Sequence, residues 1–388
     1  MDSGDYRNRM RPRLTPAIAD VRRAVRASLE PLAPVRRTGP DTADRGPERR
    51  TADGAPQGGG PLVLVALSGG PDSLALAAAA AFEAPRAGVR AGAIVVDHGL
   101  QPGSAEVAER AAAQAAALGL DPVLVRRVEV GTAGGPEGAA REARYGAFEA
   151  AIDETRAAAV LLGHTLDDQA ETVLLGLARG SGAGSLRGMA AASGRYRRPL
   201  LGVRRATTAA ACADQDLLPW TDPQNADPAF ARVRVRERVL PVLEAELGPG
   251  VAEALARTAE QLREDAAALD AMTEEVAEDL AEHADAGIAL PVDALAANPP
   301  ALRHRLIRLA VAAEFGAHLT RERTLEVARL VTDWHGQGPI DLPGATARRS
   351  GGRILFTADT VGAASRSGGP SAAGDGRREG AASATAAD

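Results

Sequence analysis

Leu62-Val63-Leu64-Val65-Ala66-Leu67-Ser68-Gly69-Gly70-Pro71-Asp72-Ser73 runs from six apolar residues through two glycines into a proline, an aspartate and a serine. A continuous apolar run of this length suits a strand buried on both faces. Glycines let the backbone approach a ligand closely. The helix expected from Ser73 presents free N–H donors at its start, which favours an anion there. This is not a Walker A loop, because G-x-x-x-x-G-K-[ST] needs a lysine. The 388-residue chain has none, and all 45 of its basic residues are arginine. Nor do the glycines follow G-x-G-x-x-G. Taken alone, Ser-Gly-Gly also fits an ordinary strand-to-helix turn capped by Asp72 or Ser73.

Working outward, strand and helix patterns alternate. Further strands are expected over 91–97, 122–130 and 158–163, and helices over 105–118, 137–155 and 167–179. Apolar strands alternating with helices predict an α/β fold: a doubly wound parallel sheet covered on both faces. Ligands of such sheets sit at the carboxyl ends of the strands, and the unusual polar residues of this chain fall at those ends. Beyond Pro241 the texture changes to amphipathic helices over 250–284, 301–315 and 320–333, with a short β segment over 339–357. A smaller, mostly helical C-terminal domain is expected there. The resulting division is an N-terminal helix segment (1–35, helical over 15–33), an insert (36–61), a nucleotide-binding domain (62–240), the helical domain (241–362) and a tail (363–388). Insert and tail have almost no large apolar residues. They cannot bury enough surface to offset ordering entropy, so disorder is expected.

The net charge is −6, although a nucleic-acid binder is usually basic. Local clusters relieve this: Arg195, Arg197, Arg198, Arg204 and Arg205; Arg232, Arg234, Arg236 and Arg238; and Arg303, Arg305 and Arg308. Such clusters can follow a phosphate backbone on an acidic protein. A single cysteine, Cys212, excludes an internal disulfide and a cysteine metal cluster. No apolar signal segment and no run of about 18 apolar residues is present, so neither export nor a membrane span is expected. A cytoplasmic protein is expected.

Further segments fall at successive strand ends. They are Val96-Asp97-His98-Gly99-Leu100, Ala140-Arg141-Glu142-Ala143-Arg144-Tyr145 and Gly163-His164-Thr165-Leu166-Asp167-Asp168-Gln169-Ala170-Glu171-Thr172. Arg179-Gly180-Ser181-Gly182, Arg198-Pro199-Leu200-Leu201, Trp220-Thr221-Asp222-Pro223-Gln224-Asn225 and Arg232–Arg238 follow. Each has a plain structural reading. His98 or His164 alone is more often structural, Asp167, Asp168 and Glu171 suit an acidic first helical turn, and Arg141 and Arg144 suit a solvated face.

Together, the Ser68–Ser73 segment resembles the pyrophosphate loop of the N-type ATP pyrophosphatases. The ordered series over 62–245 is similar to the tRNA(Ile)-lysidine synthase family. That resemblance implies cleavage of ATP to AMP and pyrophosphate, adenylation of the wobble cytidine of an isoleucine tRNA with a CAU anticodon, and attack by free L-lysine. It implies that Ser68, Gly69, Gly70, Pro71, Asp72, Ser73 and His98 bind ATP, with Asp72 also holding Mg²⁺. It assigns Asp72, Arg141, Arg144 and His164 to catalysis, Asp168 and Glu171 to lysine, and Arg198, Arg204, Arg205, Arg232, Arg234 and Arg236 to tRNA. A homodimer stays open. Gln101 and Val233 depart from the family pattern, where arginine and asparagine are common.

Two rivals share parts of this signature. A thiolase of the same superfamily needs reactive cysteines, and Cys212 stands alone in an alanine-rich stretch. A non-catalytic tRNA-binding protein would not need the intact loop together with the Asp168/Glu171 pair.

Overall fold

The structure, a computed structural model, describes residues 14–34, 60–101, 103–131, 135–180, 183–222, 226–284 and 287–358. The insert, save its last two residues, and the tail expected from 363 lie outside them. The chain divides into two compact units, the first ending at Ala266 and the second beginning at Ala267.

In the first unit, strands β1 (Leu62–Ala66), β2 (Arg90–Asp97), β3 (Val123–Arg127), β4 (Ala159–Leu161), β5 (Ala192–Ser193) and β6 (Tyr196–Arg197) form one sheet in the order β3-β2-β1-β4-β6-β5. All neighbours are parallel except β5 and β6. Successive strand side chains point to opposite faces, and β1 shows the consequence. Val63 and Val65 enter the core shared with helices α1 (Pro16–Leu29), α2 (Pro71–Glu83) and α3 (Ser104–Ala117). Leu62 and Leu64 enter the core with Phe148 and Ile152 of α4 (Gly135–Thr155) on the other face. The doubly wound sheet expected from the apolar runs is thus present.

The order also fixes where a ligand belongs. The chain leaves β1 towards β2 and β3, then returns to the opposite side of β1 as β4. The connections after β1 and β4 diverge at this switch point and leave a crevice outside the strand ends. They approach closely: a Cβ on Gly163 would lie 3.3 Å from the backbone of Asp72 and Ser73.

α1 forms as expected. Thr15 caps it by accepting from the Ile18 N–H, and Pro16 stands in the first turn. Ile18, Val21, Val25 and Leu29 make a buried stripe, the spacing that turns one helical face to a core. Arg26 pairs at 2.8 Å with Glu83, whose side chain is buried at the end of α2. Leu29 is fully buried. Leu29→Ala is therefore expected to cost about 2–5 kcal/mol, read as a lowered urea midpoint; an unchanged midpoint would show that α1 does not stabilise this unit.

In the second unit the helices expected at 301–315 and 320–333 are α12 (Pro300–Phe315) and α13 (Arg321–Thr332), with α11 (Val292–Ala297) before them. The β structure is more extensive than the expected segment at 339–357. Five strands, β7 (Glu282–Ala284), β8 (Gly287–Pro291), β9 (Ile340–Leu342), β10 (Ala345–Ser350) and β11 (Arg353–Ala358), form an antiparallel sheet in the order β7-β8-β11-β10-β9. The long helix α10 (Val251–Leu280) stops before 284 for this reason. β8 is an apolar pentapeptide whose state is set by a distant partner, Leu290 facing Ile354 and Ile288 facing Phe356. Short apolar runs carry no decisive periodicity.

The change of texture at 241 also precedes the division after Ala266. Leu240 and Ala252 pack with Leu166 and Ala170 of α5 (Leu166–Ala178), so the chain just beyond 241 still belongs to the first core.

Candidate active site

The crevice at the switch point opens into a cavity of about 500 Å³, within the range of small-molecule sites. The loop after β1 forms one wall. Gly69 has φ +82°, a left-handed conformation that favours glycine. The Ser73 hydroxyl donates to the Gly70 carbonyl at 2.9 Å and accepts from the Ser68 N–H at 3.2 Å. The Trp220 N–H donates to the Gly69 carbonyl at 2.9 Å. α2 begins with Gly70 as a cap that has no side chain to offer. Its first amide donors are therefore left for an anion.

Asp72 follows, lining the cavity. Its pKa is pushed up to about 6, first by burial, against the lowering effect of the Thr208 hydroxyl and Arg205. Thr208 is fully buried on α7 (Arg205–Ala213) and donates to Asp72 Oδ1. Among the described residues, no three His, Cys, Asp or Glu side chains gather into a metal cage. A single carboxylate beside a phosphate loop still fits Mg²⁺, which keeps several waters and is held by one or two carboxylates plus substrate phosphates.

The end of β2 supplies Asp97 and His98. The Gly99 N–H donates to Asp97 Oδ1 at 2.9 Å. His98 lines the cavity and accepts from Arg144 Nε at 3.3 Å. Burial, then the Arg144 charge, lowers its pKa. Arg144 lines the cavity, and Arg141 donates to the Tyr145 hydroxyl at 3.2 Å. Both arginines are exposed on one face of α4, and the Arg141 charge reaches His164 on the cavity wall.

The end of β4 supplies His164 and Asp168, both on the cavity wall. Thr165 and Asp168 form a capping box at the start of α5. Asp168 Oδ2 accepts from the Thr165 N–H at 2.8 Å and its hydroxyl at 2.9 Å. Burial alone would raise the Asp168 pKa, but Arg205 and these bonds hold it below the usual value. Glu171, one turn on, has no exposed side-chain surface and does not line the cavity.

Arginines dominate the remaining wall. Arg205 lies 2.8 Å from Asp168 Oδ1, 3.1 Å from Glu171 Oε1 and 3.8 Å from Asp72 Oδ2. Arg236 meets both Glu171 oxygens, at 2.8 and 3.1 Å, from a π-helical turn over Val235–Val239. Such turns often mark functional sites. Both line the cavity. Arg232 lies 3.8 Å from Glu171 Oε2 and donates to the Thr172 hydroxyl at 3.3 Å.

The other arginines expected to contact tRNA are placed differently. Arg204 is engaged by Asp167, Glu253 and Glu244 at 3.1, 3.2 and 3.7 Å. Arg198 is buried and donates to the Ala190 carbonyl at 2.9 Å. Arg234 is exposed and donates to the Pro228 and Ala229 carbonyls. Of the two departures, Gln101 lines the cavity and donates to Asp222 Oδ1 at 3.1 Å, while Val233 is buried in packing. Thr208 was not legible in the sequence, since a threonine in an alanine-rich helix carries no motif.

A buried parallel sheet with a glycine loop at its switch point, backed by a carboxylate and arginines, defines an α/β phosphate-binding domain. Residues 50–243 match the model of the PP-loop domain, and residues 290–355 match that of the TilS substrate binding domain. The tRNA(Ile)-lysidine synthase of Leifsonia xyli is 67% identical over 81% of this chain and 93% of its own length. The corresponding figures are 57%, 77% and 93% for that of Thermobifida fusca, and 56%, 81% and 89% for that of Streptomyces coelicolor. The chain belongs to the tRNA(Ile)-lysidine synthase family.

His164 gives the site a pH signature. Burial, its largest influence, lowers its pKa from 6.5 to about 4. The unfolded chain therefore takes up a proton that the folded protein refuses. The resulting stability is present above pH 6.5 and is lost as pH falls through about 4. The raised pKa of Asp72 acts in the opposite sense: its contribution is present below 3.8 and lost as pH rises through about 6. His164→Gln removes only the first effect. Its urea midpoint should fall less than that of the wild type between pH 6.5 and 4; parallel curves would contradict a buried neutral imidazole.

Proposed function

We propose that this chain joins free L-lysine to C2 of the wobble cytidine of an isoleucine tRNA with a CAU anticodon, through an adenylated tRNA. Lysidine then replaces cytidine, and codon reading changes from AUG to AUA. One observation carries the reading: the Ser68–Ser73 loop and the Asp168 carboxylate line one cavity. A nucleotide and an amine substrate can therefore meet there.

Two chemical steps are needed, because a cytosine C2 oxygen is a poor leaving group. In the first, that oxygen attacks the α-phosphate of ATP, and the bond to pyrophosphate breaks. The loop amides and Ser73 hold the departing pyrophosphate, and Arg144, Arg205 and Arg236 stabilise charge in the closed site. Mg²⁺, when bound at Asp72, neutralises charge on the phosphates. In the second, the lysine ε-nitrogen attacks C2, the C2–O bond breaks and AMP leaves.

Glu171, closed off from the cavity, holds Arg205 and Arg236 in place, and Asp168 recognises the lysine cation. Its ammonium competes with the guanidiniums of Arg205 and Arg236 for the same oxygens. His164 takes the proton of the attacking amine. Bound phosphates raise its basicity from the low value set by burial, since a neighbouring negative charge favours imidazolium. Arg205 and Arg236 serve the phosphates before the tRNA. Arg232 and Arg234 remain for the tRNA backbone, while Arg198 and Arg204 hold their surroundings in place. The catalytic domain is extended from the expected boundary at 240 to Ala266. The enzyme works where tRNA, ATP and lysine meet, in the cytoplasm, as a monomer or a homodimer. Among the described residues, no helix is long and apolar enough to cross a membrane.

The thiolase reading loses ground on Cys212. Its thiol is buried, donates to the Pro71 carbonyl at 3.1 Å and has its pKa pushed up to about 12 by burial. A persulfide carrier needs an accessible thiolate.

Incubation with ATP, radiolabelled lysine and bulk tRNA should release AMP and pyrophosphate and place label in one nucleoside. Asp168→Asn should weaken lysine affinity roughly tenfold to hundredfold, the loss expected for one charge-assisted hydrogen bond. Adenylation should survive and adenylated tRNA should accumulate. If the variant instead lost adenylation at unchanged lysine dependence, Asp168 would belong to the ATP half of the site.

A further inference from the structure

Helix α7 touches the pyrophosphate loop through side chains that the reaction does not itself need. Thr208 and Cys212 stand one turn apart on the same face. The Thr208 hydroxyl donates to Asp72 Oδ1, and the Cys212 thiol donates to the Pro71 carbonyl. Both therefore fasten the first turn of α2. α7 is itself held at both ends: the Arg205 N–H donates to Asp167 Oδ2 at 2.7 Å, and Asp214, at its carboxyl end, accepts from the Thr15 hydroxyl of the α1 cap.

The geometry at Asp72 separates its two oxygens. Oδ1 is committed to Thr208, which has no exposed surface. Oδ2 has no partner so close, Arg205 Nε lying 3.8 Å away. The Thr208 oxygen also lies 2.8 Å from the Arg205 carbonyl. A hydroxyl has one proton. When Asp72 is ionised, the charge-assisted bond to its carboxylate is the stronger use of that proton. A carboxylate held at one oxygen cannot rotate about its terminal torsion, which is otherwise broad.

We propose that Thr208 is the positioning residue for Asp72, pinning Oδ1 so that Oδ2 is presented to the metal-bound nucleotide. This rests on the proposed role of Asp72 towards Mg²⁺. Thr208 touches neither nucleotide nor metal. Its contribution is orientation: a carboxylate free to turn loses part of the preorganisation on which binding depends.

The test is calorimetric binding of a non-hydrolysable ATP analogue to the full chain across a Mg²⁺ titration, without tRNA or lysine. Thr208→Val keeps the shape and removes the hydroxyl, and should raise the Mg²⁺ concentration for half-maximal binding roughly tenfold, the scale of one hydrogen bond to a charged group. Binding without Mg²⁺ should be unchanged. Thr208→Ser keeps the hydroxyl and should restore the wild-type midpoint. Should the valine variant fail to fold, Thr208→Ala against Thr208→Ser repeats the comparison, with the same shift expected. An unshifted midpoint in the hydroxyl-free variant overturns the proposal, as does a serine variant equally defective. Asp72→Asn separates the two readings. If it abolishes the Mg²⁺ dependence while the Thr208 variants leave it intact, only the positioning role falls. If it leaves the dependence intact, the role of Asp72 falls and the positioning role with it.

Discussion

Arg205 lies within 4 Å of Asp72, Asp168 and Glu171, three carboxylates drawn from two helices that follow different strands. Asp72 begins the helix after β1, while Asp168 and Glu171 belong to the helix after β4. The two strand ends would repel one another through their acids without a cation between them. A planar guanidinium with several donors suits this place, where an ammonium would offer a single point charge. Burying such a network adds little net stability, because desolvation offsets the attraction, but removing one partner leaves an uncompensated charge. Glu171 has no exposed side-chain surface, so it depends on the arginines around it, Arg205 and Arg236 with Arg232 at 3.8 Å. The geometry of the cavity wall follows from that dependence.

An acidic protein handles a polyanionic substrate here by local placement. Arg144, Arg205 and Arg236 line one cavity although the net charge is −6. The field of a cleft is set by the charges lining it and by its low-dielectric walls, more than by the overall balance. Elsewhere the acids take up arginines that would otherwise compete, as Asp167, Glu244 and Glu253 do with Arg204. Glu244 does further work by accepting the first amide donors of the long helix at Gly250, Val251 and Ala252. Burial pushes the pKa of Asp72 up and that of His164 down. Burial thus favours the neutral form of each group.

The α/β sheet, the loop after β1 and the order of polar strand ends were legible in the sequence alone. These are local patterns: apolar runs, glycines and caps act between residues near one another in the chain, so their spacing reports them directly. The same holds for the capping box of Thr165 and Asp168. Tertiary structure alone decided which side chains share a wall. It set Arg205 between three acids, buried Arg198 and brought Thr208 to Asp72 across 136 residues. It also decided that Gly287–Pro291 is a strand, because its hydrogen-bonding partner is Arg353–Ala358. Pairing and charge compensation between distant segments leave no periodic trace in the chain, because the energy of each contact depends on a partner that only folding supplies.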